Sequence, residues 1–279
     1  MRTILGLAIA LALTAATGRA QAPVSPSTPL VIGETFTVTS KTLGEVRRIN
    51  VYLPPPYSAT PTTRLPVLYM PDGGIGEDFL HVAGLLQVLI GNGSMRPFIL
   101  VGIENTQRRR DLTGPTENAD DKKIAPIVGG SAAFRAFIRT ELMPAVAARY
   151  RTTAETAIMG ESLAGLFVVE TLLLEPTLFD THIAFDPSVW WNDGALVKSA
   201  AAQLRAIGNR PKTLYLAASR DDRSDMIKAF AGVLEKSAPA ALTWHYVPMP
   251  EETHATIYHP AALQALRQLF KPHVELVKQ

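Results

Sequence analysis

The chain has 279 residues, 47% of them hydrophobic, and its 27 basic and 25 acidic residues leave a net charge of +2. The basic residues are dispersed, and the run Arg108-Arg109-Arg110 ends at once in Asp111, so no stripe for nucleic acid is present. There is no cysteine, which excludes disulfides, a thiol nucleophile and a thiolate metal site.

In chain order, residues 1–22 read as a secretory signal peptide. Arg2 supplies a minimal positive start, Ile4 to Ala16 an apolar-to-small run, and Ala20-Gln21-Ala22 an A-x-A site. Pro23 disfavours cutting after Ala22, so a cut after Ala20 is the alternative. An uncleaved anchor is the competing reading, but the apolar run is short for a bilayer. The mature chain is expected to be exported, periplasmic or secreted, without stable membrane insertion. Residues 23–33 form a Pro/Ser-rich linker. Residues 34–279 then suit one large α/β domain.

Two early strands are expected at 34–40 and 47–53, the second stopped by Pro54-Pro55-Pro56. From Leu65 onward short apolar runs at 67–70, 98–103, 156–159, 182–185, 213–217 and 242–248 alternate with helical stretches near 78–90, 131–149, 163–174, 194–207, 224–237 and 260–270. That rhythm predicts a central, mostly parallel β-sheet with helices on both faces. Such sheets place chemistry beyond the carboxyl ends of their strands, so the loops after each strand are where functional residues are sought.

After the 156–159 strand comes Gly160-Glu161-Ser162-Leu163-Ala164-Gly165, followed by an apolar helical run. A serine on a tight strand-to-helix turn, between residues small enough for strand and helix to close on one another, is a nucleophile elbow. The plainer reading is a helix N-cap. After the 213–217 strand stand Asp221 and Asp222. Asp222 is taken as the carboxylate that orients a histidine and Asp221 as its rival, while both also suit helix capping. After the 242–248 strand, His254 is placed to meet Ser162 as general base, with His259 the competitor and Glu252 a further acid for the imidazole. The order Ser162, Asp222, His254 is that of α/β-hydrolases. His254 and His259 lack a third ligand nearby, so no metal is expected. The loop after 67–70 contains Asp72-Gly73-Gly74. Acyl transfer needs backbone donors for a developing oxyanion, and these are assigned to the amides of Leu163 and Gly74, with Gly73 the alternative to Gly74.

Taken together, Val67-Leu-Tyr-Met-Pro-Asp-Gly73, Arg110-Asp-Leu-Thr113, Gly160-Glu-Ser-Leu-Ala-Gly-Leu-Phe167, Pro187-Ser-Val-Trp-Trp191 and Glu252-Thr-His254 make the chain resemble the esterase D family of α/β-hydrolases, in particular its siderophore-esterase branch. The resemblance spans roughly residues 34–270. It implies an α/β-hydrolase fold, Ser162 as nucleophile, His254 as base and an oxyanion donor at Gly74. It also implies a small-molecule ester as substrate, and on the siderophore trilactone reading Arg110, Trp190 and Trp191 contact it. Tryptophan packing a loop onto the core is the plainer role for the last two. The expected activity is serine ester hydrolysis through an acyl-enzyme, without cofactor and without nucleic acid. An acyltransferase on the same scaffold and a non-catalytic siderophore- or sugar-binding protein are the alternatives.

Overall fold

The computed structural model describes residues 25–124, 126–221 and 223–272. The signal peptide expected over 1–22 lies outside them. Residues 25–32 belong to a first unit, and those described have no regular secondary structure; all the elements below belong to the second unit, which starts at Gly33.

Eight strands form one sheet: β1 Glu34–Ser40, β2 Glu45–Tyr52, β3 Leu65–Pro71, β4 Ile99–Ile103, β5 Thr152–Glu161, β6 Thr181–Phe185, β7 Lys212–Ala218 and β8 Leu242–Pro248. Their spatial order is β1-β2-β4-β3-β5-β6-β7-β8. β1 pairs antiparallel with β2, and β2 antiparallel with β4; all later pairings are parallel. This is the mostly parallel sheet of an α/β-hydrolase. The chain runs from β3 to β4 in one direction and then crosses back to β5, so the order reverses between β3 and β5. A crevice opens beyond the carboxyl ends of such strands.

The continuous apolar runs follow from burial on both faces. Along the strands successive residues alternate between two cores, as a period of two requires. Val67 and Tyr69 face one core, Leu68 and Met70 the other; Leu214 and Leu216 oppose Tyr215 and Ala217. The first core is covered by helices α5 Ser131–Phe137, α6 Met143–Arg149, α7 Leu163–Leu174, α8 Trp191–Leu204 and α9 Ser224–Ser237. The second is covered by α2 Phe79–Gly91 and α10 Tyr258–Leu269. Three short helices, α1 Pro55–Ala59, α3 Arg108–Leu112 and α4 Ala119–Ile124, lie in connections. α7 is buried from Leu163 through Leu173, which explains its apolar sequence on all sides.

Two departures from the expected elements have local causes. The helix expected over 131–149 contains a π-helical turn, Ile138–Leu142, immediately before Met143-Pro144. Proline has no N–H for a regular helical bond, and a widened turn accommodates it. The helix expected from 194 begins at Trp191, through left-handed backbone at Asn192 (φ 50°), Asp193 (φ 54°) and Gly194 (φ 70°). Asn, Asp and Gly are the residues that adopt this conformation most readily.

Candidate active site

Ser162 stands between β5 and α7 with φ 59° and ψ −119°, a conformation rare for a residue with a side chain. The turn is held by Ser162 N–H donating to Phe185 O (3.0 Å) and by Leu166 and Ser188 N–H donating to Ser162 O (2.9 and 3.0 Å). The small neighbours are obligatory. A Cβ on Gly160 would lie 2.7 Å from Ala164 Cβ and carbonyl carbon, and one on Gly165 3.0 Å from Pro187 Cα. The Ser162 hydroxyl makes no helix-capping hydrogen bond. It meets His254 Nε2 at 3.0 Å instead, across 92 positions of sequence.

The carboxylate on the other side of the imidazole is Asp186, whose Oδ2 lies 2.8 Å from His254 Nδ1. This corrects the expectation of Asp222. Asp222 itself lies outside the described residues, and the Nδ1 position it was assigned is filled from the loop after β6. Register explains the substitution. Glu161 aligns with Phe185 across the β5–β6 pair, so the next residues, Ser162 and Asp186, leave adjacent strands at one level. Asp221 serves the same histidine differently, accepting the backbone N–H of His254 at 2.6 Å. Glu252 accepts from Thr256 Oγ1, and His259 sits against His81 at 3.0 Å, so neither touches the pair.

Asp186 is buried and has backbone of its own in the left-handed region (φ 43°). Its Oδ1 accepts Ser219 N–H (2.9 Å) and its Oδ2 accepts Ser219 Oγ–H (2.7 Å). Burial pushes its carboxyl up, but the hydrogen bonds from His254 and Ser219 outweigh this and hold it below the usual carboxylate range. An anionic carboxylate only accepts, so His254 carries its proton on Nδ1 and turns the Nε2 lone pair to Ser162. The hydrogen bond to Asp186 raises the His254 pKa above its ordinary value, against the opposing effect of burial.

A cavity of about 720 Å³ opens over Ser162 and His254. Leu163, in the first turn of α7, lines it. Among the described hydrogen bonds its amide has no acceptor, consistent with the orphan donors of a helix start. Gly74 does not provide the second donor expected of it. Its N–H is held by Glu77 Oε2 at 2.7 Å. Gly73 donates to Ile103 O, and its missing side chain is required by Gly102, whose Cα would lie 2.3 Å from a Cβ there. Both glycines are thus accounted for by the packing of the β3 loop on β4.

The expected substrate contacts divide. Trp190 and Trp191 both line the cavity. The Arg223 guanidinium stacks over Trp190, 4.0 Å from the ring centroid, and Trp191 Nε1 donates to Gly114 O at 2.9 Å. Arg110 does not line it. Its guanidinium bonds Glu45 and Asp111, both at 2.7 Å, beside the fully buried Arg47, which meets Asp111 at 2.6 Å. The 104–113 loop is pinned by this charge cluster, and the basic groups facing the cavity are Arg108, Arg109, Arg220 and Arg223. Arg110 shares α3 with Arg108 and Arg109, which line the cavity, but its own guanidinium turns to Glu45 and Asp111. Further along, Asp121 accepts the Asn192 N–H (2.8 Å) and the Thr116 hydroxyl (2.6 Å), which ties the 114–124 segment to the start of α8.

Residues 40–254 match the model of a family described as "Putative esterase". The chain is 30% identical over 193 residues to the ferri-bacillibactin esterase BesA of Bacillus subtilis, spanning 62% of this chain and 66% of that protein. It is 39% identical over 100 residues to the siderophore triacetylfusarinine C esterase of Aspergillus fumigatus, 34% of this chain and 32% of that protein. The match thus spans just under two thirds of the first curated relative and about a third of the second. Among solved structures, an IroE-like serine hydrolase from Shewanella oneidensis superposes with a TM-score of 0.78 at 29% identity, covering 86% of this chain and 80% of that one. The siderophore hydrolase EstB from Aspergillus nidulans shares the fold, with a TM-score of 0.73 at 20% identity over 89% of this chain and 98% of its own.

Proposed function

The chain belongs to this esterase family, and from that premise we propose that it is a serine esterase acting through Ser162, His254 and Asp186. The observation that carries the reading is the relay of contacts, Ser162 Oγ to His254 Nε2 at 3.0 Å and His254 Nδ1 to Asp186 Oδ2 at 2.8 Å. As Ser162 Oγ bonds the ester carbonyl carbon, its proton passes to Nε2 and the carbonyl electron pair moves onto oxygen. The Leu163 amide donates to that oxyanion. Nε2–H then protonates the departing alcohol, leaving an acyl-enzyme. Water, deprotonated by the same nitrogen, releases the acid. Asp186 keeps its negative charge throughout and stabilises the imidazolium.

The substrate class we propose is an anionic ester of the siderophore lactone type. Arg109, Arg220 and Arg223 and two tryptophans around the cavity support it, since guanidinium groups pair with anionic oxygens and indoles stack on aromatic rings; Arg108 is already paired with Asp72 at 2.7 Å. The names of the relatives support the same class. Residues 1–22 support an exported location. Among the described residues no helix is long and apolar enough to cross a membrane.

The test is a hydrolysis panel with p-nitrophenyl acetate and butyrate, a feruloyl sugar and a ferric trilactone, using wild type and Ser162→Ala. Wild type is expected to cleave the ferric trilactone with the highest kcat/KM. Ser162→Ala should lose at least about 10³-fold in kcat, with a residue of catalysis left from binding and the oxyanion donor. Equal rates in the two proteins would refute the mechanism, and preference for a neutral ester would refute the substrate class.

A further inference from the structure

His254 Nε2 has a second neighbour that the mechanism above does not use. Glu161, the residue before Ser162, places Oε1 3.2 Å from that nitrogen. The imidazole therefore lies between two carboxylates, Asp186 at Nδ1 and Glu161 at Nε2. Glu161 ends β5 with its side chain 17% exposed. Helix start and strand end fix its backbone, so its carboxylate reaches the histidine through the geometry of the elbow itself.

We propose that Glu161 governs the proton at His254 Nε2, as an acceptor for the imidazolium when ionised and as a block on the base when protonated. This rests on the reading of Ser162 and His254 as nucleophile and base. When Ser162 gives its proton to Nε2, an N–H appears 3.2 Å from Glu161 Oε1. An ionised Glu161 accepts it in a charge-assisted hydrogen bond, which favours the imidazolium formed in the transition state. A neutral Glu161 has an O–H of its own. Directed at Nε2, that O–H occupies the lone pair needed for the Ser162 proton.

The surroundings place this switch in a working pH range. Burial pushes the Glu161 carboxyl up, to about 7. The charged and titratable groups around it are His254 from the loop after β8, Arg108 of α3, Asp186 from the loop after β6 and Asp72 from the loop after β3. His254 and Arg108 lower its pKa, Asp186 and Asp72 raise it, and burial exceeds them all. Tyr258 of α10 is partly buried and its pKa is raised well above the ordinary value, so it stays un-ionised beside it, and Asp221 adds its charge to the field at His254. Glu161 and His254 then titrate as a coupled pair, and the acid limb of activity belongs to both. Neutral histidine is the base, so activity rises with pH. The Glu161 anion favours imidazolium and moves that rise to higher pH.

The experiment is the pH profile of kcat/KM for p-nitrophenyl butyrate with wild type, Glu161→Gln and Glu161→Asp, a separate sample of each being labelled with a fluorophosphonate to show a reactive Ser162. Glu161→Gln removes the charge at similar shape. Its acid limb is expected about 1 pH unit lower, the size of effect a close carboxylate has on a histidine. Its plateau kcat should fall roughly tenfold with KM little changed. Glu161→Asp should keep its acid limb nearer to the wild type's. A Glu161→Gln enzyme that labels at Ser162 but keeps the wild-type limb overturns the proposal and leaves the nucleophile assignment intact. Wild type that does not label at Ser162 overturns the underlying reading instead.

Discussion

At the scale of single residues, the meeting of Ser162 with His254 was legible because each carries a chemical type and sits beyond a strand end. The carboxylate that meets the imidazole was not, and the reason is geometric. Asp186 follows β6 as directly as Ser162 follows β5, and it preserves the chain order of serine, acid and histidine. Asp221 and Asp222 drew attention as a pair, but the distance from the strand end, not the number of acids, decides which carboxylate reaches the imidazole. An acid directly after a strand neighbouring the elbow is the signal that would have found it. Gly74 and Arg110 were read from their place in loops after strands and from the family resemblance. What each meets in the fold, Glu77 and the Glu45–Asp111 pair, depends on contacts distant in sequence. The acid assignment predicts that Asp186→Asn lowers kcat for p-nitrophenyl butyrate by about 10²–10⁴-fold, because the amide no longer holds the Nδ1–H tautomer. Asp222→Asn should stay within about twofold of wild type. The opposite ranking in steady-state assays would return the role to Asp222.

At the scale of elements, all eight strands fall close to where they were expected; the six from β3 onward were placed by apolar runs, and for the inner ones burial on both faces leaves a strong compositional mark. The fine structure escaped because its causes are local exceptions: the π turn before Pro144 and the left-handed entry to α8. The elbow was legible through its small residues, and the structure supplies the distances. A methyl on Gly160 would press against Ala164 backbone at 2.7 Å, closer than real contacts allow, and backbone cannot step aside as a flexible side chain does. Gly160→Ala is therefore expected to destabilise the fold by about 1–3 kcal/mol in urea titrations. The displaced Ser162 should cost at least about tenfold in kcat, because small misplacements of reacting groups are costly. Unchanged stability and rate would mean that β5 and α7 are less tightly closed than described.

At the scale of the whole molecule, the sheet gathers residues from four successive strand ends into one site and leaves the interior to stabilise it. One interior residue makes that stability depend on pH. His182 on β6 is fully buried, and burial, aided by the Lys212 charge, lowers its pKa to about 3. The folded chain keeps it neutral while the unfolded chain protonates it near pH 6.5. Between those values the unfolded state binds more protons, so stability falls as pH falls, by up to about 1.4 kcal/mol per pH unit from this group. His182→Leu, which keeps a buried side chain of comparable size, is expected to flatten the decline of Tm between pH 6.5 and 4. A decline as steep as that of wild type would assign the acid sensitivity to other groups.

The serine assignment is tested most directly by mass spectrometry of the protein after reaction with a fluorophosphonate. The predicted result is a single adduct on the peptide carrying Ser162, formed far more slowly in a His254→Ala variant. An unreacted Ser162, or an adduct formed equally fast without His254, would contradict the account.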